Sequence, residues 1–90
     1  MMERVTIDCG AVKTRADLHA ALAAALRFPD WYGGNLDALH DLLTAIPADT
    51  RLILADWPAA EAALGPYGSR VEKVLAICAL ENPKLTIEFC

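Results

Sequence analysis

The sequence predicts an α/β protein in which a three-stranded parallel sheet packs with four helices, in the order β-α-α-β-α-α-β. Three short runs suited to strands lie near the start, middle and end of the chain, at residues 4–8, 51–55 and 84–89. Two segments with the apolar spacing of a helix lie between successive runs. Helical connections of this length join parallel strands and are right-handed. The 90 residues, 56% apolar and 22% charged, are expected to form a single domain over residues 1–90.

The first strand and the first helix have clear local signals. Residues 4–8 (RVTID) alternate between polar and apolar side chains, as strands with one buried face do. Thr14 is a favoured N-cap residue, and Asp17 follows it at the spacing of a capping box. Pro29 is expected to end the helix near Arg27. The apolar stripe of this helix consists of Leu18, Leu22 and Leu26.

The second helix is predicted over residues 35–46, between two glycines and Pro47. Gly34 or Asn35 can cap it, and the adjacent Gly33 and Gly34 allow the chain to turn sharply into it. Its inward face consists of Leu36, Leu39, Leu43 and Ile46.

The second half of the chain supplies two strands with two helices between them. Residues 51–55 (RLILA) form a short apolar run typical of a buried strand. Pro58 lies in the first turn of the third helix, where proline is tolerated, and Gly65 caps its end. Residues 84–89 (KLTIEF) alternate again and form the last strand. The inward face of the fourth helix consists of Val71, Val74, Leu75 and Cys78.

The net charge of −4 is concentrated in one segment of the chain. Residues 28–50 contain Asp30, Asp37, Asp41 and Asp49 but no lysine or arginine, whereas acids and bases balance in the remainder. A nucleic-acid-binding protein needs clustered basic residues, so this distribution argues against one. An acidic patch instead attracts a basic partner and accelerates their encounter.

The cysteine pattern and the hydropathy indicate a cytoplasmic protein. Cys9, Cys78 and Cys90 are odd in number and far apart, without the spacing of a metal site or a redox motif. The first ten residues lack the apolar stretch of a secretion signal, and no run approaches the ~20 apolar residues that span a membrane. We expect free thiols, no metal and no cofactor.

One face of the second helix combines carboxylates with nearby aromatic residues. Asp37 lies in the first turn, where the helix dipole favours a carboxylate. Asp41 lies one turn further on, beyond this effect, and two carboxylates at this spacing repel each other. The face is bordered by His40, Thr44, Trp31 and Tyr32. Because tyrosine and tryptophan are enriched at interface hot spots, the face suggests a protein-binding surface, with one of the two aromatic rings packed beneath the loop. The alternative is a helix face that is merely solvated.

An enzymatic interpretation uses the same residues. Asp37, His40 and Asp41 could act as general acid–base groups or as three metal ligands. All three lie on one exposed turn of helix, however, and His19 lies on another helix with no acid arranged for it. The sequence has no nucleophile beside a base and no phosphate-binding loop. We therefore expect no enzyme activity.

The segment FPDWYGGNLDALHDLLT, residues 28–44, resembles the signature of the barstar family of intracellular ribonuclease inhibitors. The family pattern there is Pro, acid, aromatic, Tyr, Gly, any residue, Asn-Leu-Asp-Ala-Leu, aromatic, Asp. The matching positions are Pro29, Asp30, Trp31, Tyr32, Gly33, Asn35, Leu36, Asp37, Ala38, Leu39 and Asp41. Looser agreement at ADLHAALAAAL, LADWP and LTIEF extends the resemblance over the whole chain, and the family's order of strands and helices is the one predicted above.

The resemblance implies that the second helix plugs the active site of a barnase-type ribonuclease, which is lined with basic residues. Asp41 would act as a phosphate mimic in the catalytic centre, and Asp37 would contact a basic residue beside it. Trp31 and Tyr32 would pack on the rim or on a catalytic histidine.

Two positions depart from the family. His40 stands where the best-known member has a tryptophan, and Leu80 stands where the late helix normally offers the partner an acid. Glu81 is adjacent to Leu80 but points about 100° away around the helix.

The leading hypothesis is a cytoplasmic inhibitor of a guanyl-preferring, extracellular-type ribonuclease, monomeric when free and binding its basic partner 1:1. The predicted partner-binding residues are Asp41, Asp37, Tyr32, Trp31, Asn35, His40, Thr44, Gly33 and Gly34. The alternative is a barstar-like binding module whose basic partner is not a ribonuclease.

Overall fold

The computed structural model describes residues 2–90 and has the predicted order of strands and helices. The elements are β1 Glu3–Asp8, α1 Arg15–Leu26, α2 Leu36–Thr44, β2 Thr50–Ala55, α3 Trp57–Leu64, α4 Pro66–Glu81 and β3 Leu85–Phe89. A short 3-10 turn, Cys9–Ala11, follows β1. The three strands form one parallel sheet, which confirms the predicted fold class.

The central strand of the sheet is β2, which pairs with β1 on one side and with β3 on the other. Val5, Leu52 and Ile87 lie at the same level across the three strands. The face that carries Val5 and Leu52 is buried beneath the helices. Arg51 and Glu88 on the opposite face form an ion pair, with 3.2 Å between Nε and Oε2.

The prediction of a buried strand therefore holds for one face of β2. Leu52 and Leu54 are wholly buried, whereas Ile53 between them is only half-buried. Side chains alternate between the two faces of a strand, and the helices pack mainly on one face of this sheet. An apolar run alone does not reveal this difference.

The helix ends follow the predicted local signals. The Thr14 hydroxyl accepts a hydrogen bond from the Asp17 amide (3.1 Å) while the Asp17 carboxylate accepts one from the Thr14 amide (3.2 Å), which completes a capping box at the start of α1. Arg27 ends α1 in the left-handed conformation, with φ of 58°. Pro58 lies in the first turn of α3, and Gly65 separates α3 from α4 with φ of 61°. No helix within residues 2–90 has the length and apolar character needed to cross a membrane.

The inner face of α2 anchors the helix in the core. Leu39 and Leu43 are wholly buried, while Leu36 and Ile46 are half-buried at its two ends. The helix ends at Thr44, two residues earlier than predicted, where the Ala45 amide bonds back to the carbonyls of residues 42 and 43. The other wholly buried leucines are Leu18, Leu22, Leu52, Leu54 and Leu75.

Candidate partner-binding site on helix α2

The outer face of α2 presents two carboxylates to solvent. Because Leu39 and Leu43 point into the core, Asp37 and Asp41 lie on the exposed side of the same helix. The side chain of Asp41 is 83% exposed. Across residues 2–90, no lysine or arginine forms an ion pair with either aspartate. The two charges are therefore available to an external cation.

The start of α2 is set by the residues that precede it. Of the two candidate caps, Asn35 performs the role, since its Oδ1 accepts a hydrogen bond of 2.8 Å from the Ala38 amide. Gly34 has φ of 65°, a conformation that favours glycine. A Cβ atom at Gly33 would lie only 3.0 Å from the Asn35 side-chain nitrogen. Gly33, Gly34 and Asn35 thus shape the loop that enters the helix.

Trp31 and Tyr32 have different environments. The Tyr32 ring is half-buried and packs against Phe28, with 4.8 Å between ring centroids. Trp31 is 72% exposed, among the most exposed large apolar side chains of residues 2–90. One of the two aromatic residues therefore packs beneath the loop, as expected, and the other is available for contact.

A buried histidine connects this loop to two helices. His19 on α1 is 4% exposed. Its Nδ1 lies 2.5 Å from the Tyr32 hydroxyl, and its Nε2 lies 2.7 Å from the hydroxyl of Tyr67 on α4. Sequence reasoning missed this cluster, because the partners are 13 and 48 positions away. The available signal was the position of His19 directly after Leu18 and three residues before Leu22, beside the apolar stripe of α1.

The buried His19 is expected to make stability fall as the solution is acidified. Burial lowers the pKa of this imidazole below its usual value of 6.5. The unfolded chain therefore takes up the proton first, so the free energy of unfolding declines as pH falls below 6.5 towards the folded-state pKa. Urea unfolding at pH 7.0 and 5.5 should show this decline in the parent and a smaller one in His19→Gln.

The control for this measurement is the exposed histidine on α2. Carboxylate partners raise the pKa of His40, so its protonation favours the folded state at low pH, with the opposite sign. His40→Gln should therefore show a decline at least as large as that of the parent, because it removes a contribution of opposite sign. Equal declines in the parent and in His19→Gln would contradict the assignment.

An acid from α4 joins the outer face of α2. The Glu81 Oε2 lies 2.7 Å from His40 Nε2, and Asp41 Oδ1 lies 3.7 Å from His40 Nδ1. The hydrogen bond to Glu81 is the largest cause of the raised pKa of His40. Leu80 points outward instead and is 86% exposed. Glu81 was not among the predicted partner-binding residues, and the structure places it beside them.

Two further contacts stabilise the helix itself. The Thr44 hydroxyl donates to the His40 carbonyl at 2.8 Å, so it is directed into the helix rather than outward. Asn82 is buried, and its Nδ2 donates to the carbonyls of Leu43 (3.0 Å) and Ile46 (3.2 Å). These bonds hold the C-terminal end of α2 against the end of α4.

The N-terminal end of α2 has basic neighbours that the local sequence does not show. The guanidinium carbon atoms of Arg15 and Arg70 lie 4.5 and 5.6 Å from the ring centroid of Tyr67. Both arginines line a pocket of about 240 Å³ together with Asp37. The segment 28–50 lacks basic residues, but the fold brings two of them to one end of its helix.

Asp37, His40 and Asp41 were considered above as three metal ligands. Within the described residues, 2–90, no group of three or more His, Cys, Asp or Glu side chains is arranged to hold a metal ion. The arrangement on α2 instead offers exposed hydrogen-bond acceptors and negative charge, a chemistry suited to binding cationic groups.

Comparison with known proteins identifies a matching family and a similar protein. Residues 2–89 match a family model described as "Barstar (barnase inhibitor)". A protein of Bacillus subtilis (strain 168) named "Putative ribonuclease inhibitor YrdF" is 36% identical over 75 residues, which is 82% of this chain and 82% of that protein. The match to the family model over residues 2–89, together with this relative, shows that the chain belongs to the barstar family.

Proposed function

We propose that this protein inhibits a basic, guanyl-preferring ribonuclease of the barnase type by inserting the outer face of α2 into its active site. The observation that carries the proposal is Asp41, a carboxylate in the middle of a helix, 83% exposed and without a lysine or arginine partner in residues 2–90. The description of the matched family and the name of the Bacillus subtilis relative support the same function.

The proposed mechanism is occupation of the phosphate-binding centre. A ribonuclease binds RNA phosphates with Arg, Lys and His, and a carboxylate offers the same cations a strong charge-assisted acceptor. Asp41 fills this role, with Asp37 beside it. Because α2 is held by Leu39 and Leu43, Asp41 is presented on a rigid element, which reduces the entropy lost on binding.

The other predicted residues have supporting roles in this proposal. Trp31, which is exposed, contacts the rim of the ribonuclease site, and Tyr32 contacts it with its accessible edge. Asn35 and the two glycines hold the loop, and Thr44 stabilises the helix. His40 lies between two acids at the centre of the face.

The proposal includes a 1:1 complex, a free monomer without catalytic activity and a cytoplasmic location. The cysteines support the location. Burial raises the pKa of Cys9 and of Cys78 to about 11, so both thiols remain protonated and unreactive near neutral pH. Free, buried thiols are typical of a reducing compartment.

RNA cleavage by a barnase-type ribonuclease, titrated with this protein, tests the function. The parent should abolish cleavage at an equimolar ratio, and Asp37→Asn/Asp41→Asn should lose most of this inhibition. The matched control is Glu3→Gln/Asp49→Asn, which removes two exposed acids near the N-terminal edge of the sheet and leaves α2 unchanged.

Equal inhibition by the two double variants would place the binding face elsewhere. Absence of inhibition by the parent would favour the alternative, a barstar-like module whose basic partner is not a ribonuclease. Leu80, exposed where the family offers an acid, is the observation that favours this alternative.

Affinity is expected to fall as the pH decreases through the pKa of His40. An imidazolium that faces the cations of the ribonuclease is unfavourable, so binding releases its proton and becomes weaker where the free protein is protonated. The hydrogen bond to Glu81 raises the pKa of His40 above 6.5, and the decline should therefore begin above that value.

Dissociation constants between pH 5 and 8 check this expectation. His40→Gln should have a flatter profile, and the profile of Glu81→Gln should shift to lower pH because the main cause of the raised pKa is removed. Identical profiles for the parent and His40→Gln would exclude His40 from the interface.

A further inference from the structure

The outer face of α2 is too small to form an interface alone. A stable interface buries ~800 Å² of each partner. The nine residues of α2 form a helix ~14 Å long and ~10 Å wide, which outlines on the order of 150 Å². The contact surface must therefore continue onto neighbouring elements, and α4 is the helix that packs against α2.

The two ends of α4 differ in charge. Near the start of α4, Arg70 lines a pocket together with Tyr67 and with Arg15 of α1, and the two guanidinium carbon atoms lie 5.6 and 4.5 Å from the Tyr67 ring centroid. A basic partner is repelled by these two arginines. At the other end, Glu81 bonds to His40 on α2 and continues the acidic surface without a gap. Charge complementarity therefore directs the partner towards the C-terminal half of α4.

Two large apolar side chains lie exposed beside Glu81. Leu80 is 86% exposed and Ile77 is 46% exposed. Ile77 and Leu80 are three residues apart, and Ile77 and Glu81 are four apart, so the three side chains form one continuous surface on the helix. Exposed apolar groups that adjoin a charged patch are typical of interaction sites rather than of free surface.

We propose that Ile77 and Leu80 form an apolar extension of the α2 face, and that the basic protein bound there presents an apolar patch beside its cationic centre. The proposal rests on the proposed function and specifies the partner of the same site. Asp41 and Glu81 attract a basic protein, whereas Ile77 and Leu80 select among basic proteins. A cation or polar group of the partner that lies opposite these two side chains would lose its water without gaining a hydrogen bond.

The test uses the barnase-type ribonuclease of the inhibition assay and three variants. Leu80→Lys places a cation in the proposed contact and should weaken inhibition by roughly tenfold or more. Ala63→Lys is the matched control, since it adds the same charge to an exposed position on α3 and should change inhibition less than about twofold. Ile77→Ala/Leu80→Ala should weaken inhibition by roughly tenfold through a faster dissociation rate, with the association rate unchanged.

Each result decides between the two proposals. Inhibition by the parent with equal inhibition constants for Leu80→Lys and Ala63→Lys would overturn the apolar extension and leave the inhibitor function intact. Weaker inhibition by both Leu80→Lys and Ile77→Ala/Leu80→Ala, with Ala63→Lys unaffected and the melting temperature of the parent retained, would establish it. Absence of inhibition by the parent would overturn both.

Discussion

Asp41→Ala is expected to weaken inhibition of the ribonuclease more than any other single substitution on α2. Removing one member of a desolvated charge pair leaves the other charge buried without a partner, which costs about 3–5 kcal/mol. At 25 °C this loss corresponds to an increase in the inhibition constant of roughly a hundredfold to several thousandfold. Inhibition constants and dissociation rates, measured with the same enzyme, check the prediction.

Asp37→Ala provides the informative comparison. Asp37 lines the same pocket as Arg15 and Arg70, so the electrostatic potential there attracts a cation less strongly than at Asp41, which has only His40 beside it. We therefore expect a smaller effect at Asp37. Asp49→Ala, which removes an aspartate outside the helix, should have little effect. An equal loss from all three substitutions would mean that net charge matters and that the geometry of α2 does not.

Leu39→Ala is expected to have a large effect on folding stability. The Leu39 side chain is wholly buried on the inner face of α2, next to His40 on the outer face. Removing a buried leucine side chain loses its transfer free energy and leaves a cavity, which together cost about 2–5 kcal/mol. A domain of this size has a total stability of about 5–15 kcal/mol, so the substitution removes a large part of it. Urea unfolding measures the change.

Leu80→Ala is the matched control for this stability measurement, because it makes the same chemical change at a side chain that is 86% exposed. It should alter the free energy of unfolding by less than about 0.5 kcal/mol. A comparable loss in the two variants would show that Leu39 does not anchor α2. Leu80→Ala can thus affect partner binding without affecting the fold, whereas Leu39→Ala affects the fold first.

Several features of the site could be predicted because they depend on residues close in sequence. The capping box of Thr14 and Asp17, the cap at Asn35 and the outward direction of Asp37 and Asp41 all follow from spacings within one or two helical turns. The half-buried Tyr32 and the exposed Trp31 fit the expectation that only one ring packs beneath the loop. The end of α2 was predicted two residues late, since Ile46 continues the apolar spacing beyond the last helical turn.

The sequence by itself determined the order of strands and helices, the parallel sheet and the acidic outer face of α2, because apolar periodicity and local charge are readable in short windows. Only the tertiary structure decided which distant residues complete the site: Glu81 beside His40, Tyr67 and Tyr32 on His19, and Arg15 with Arg70 at the N-terminal end of α2. Glu81 reaches His40 across 41 positions, and Tyr67 reaches His19 across 48. Such contacts depend on how helices lie against one another, a geometry that the packing of the whole core sets and that no local pattern contains.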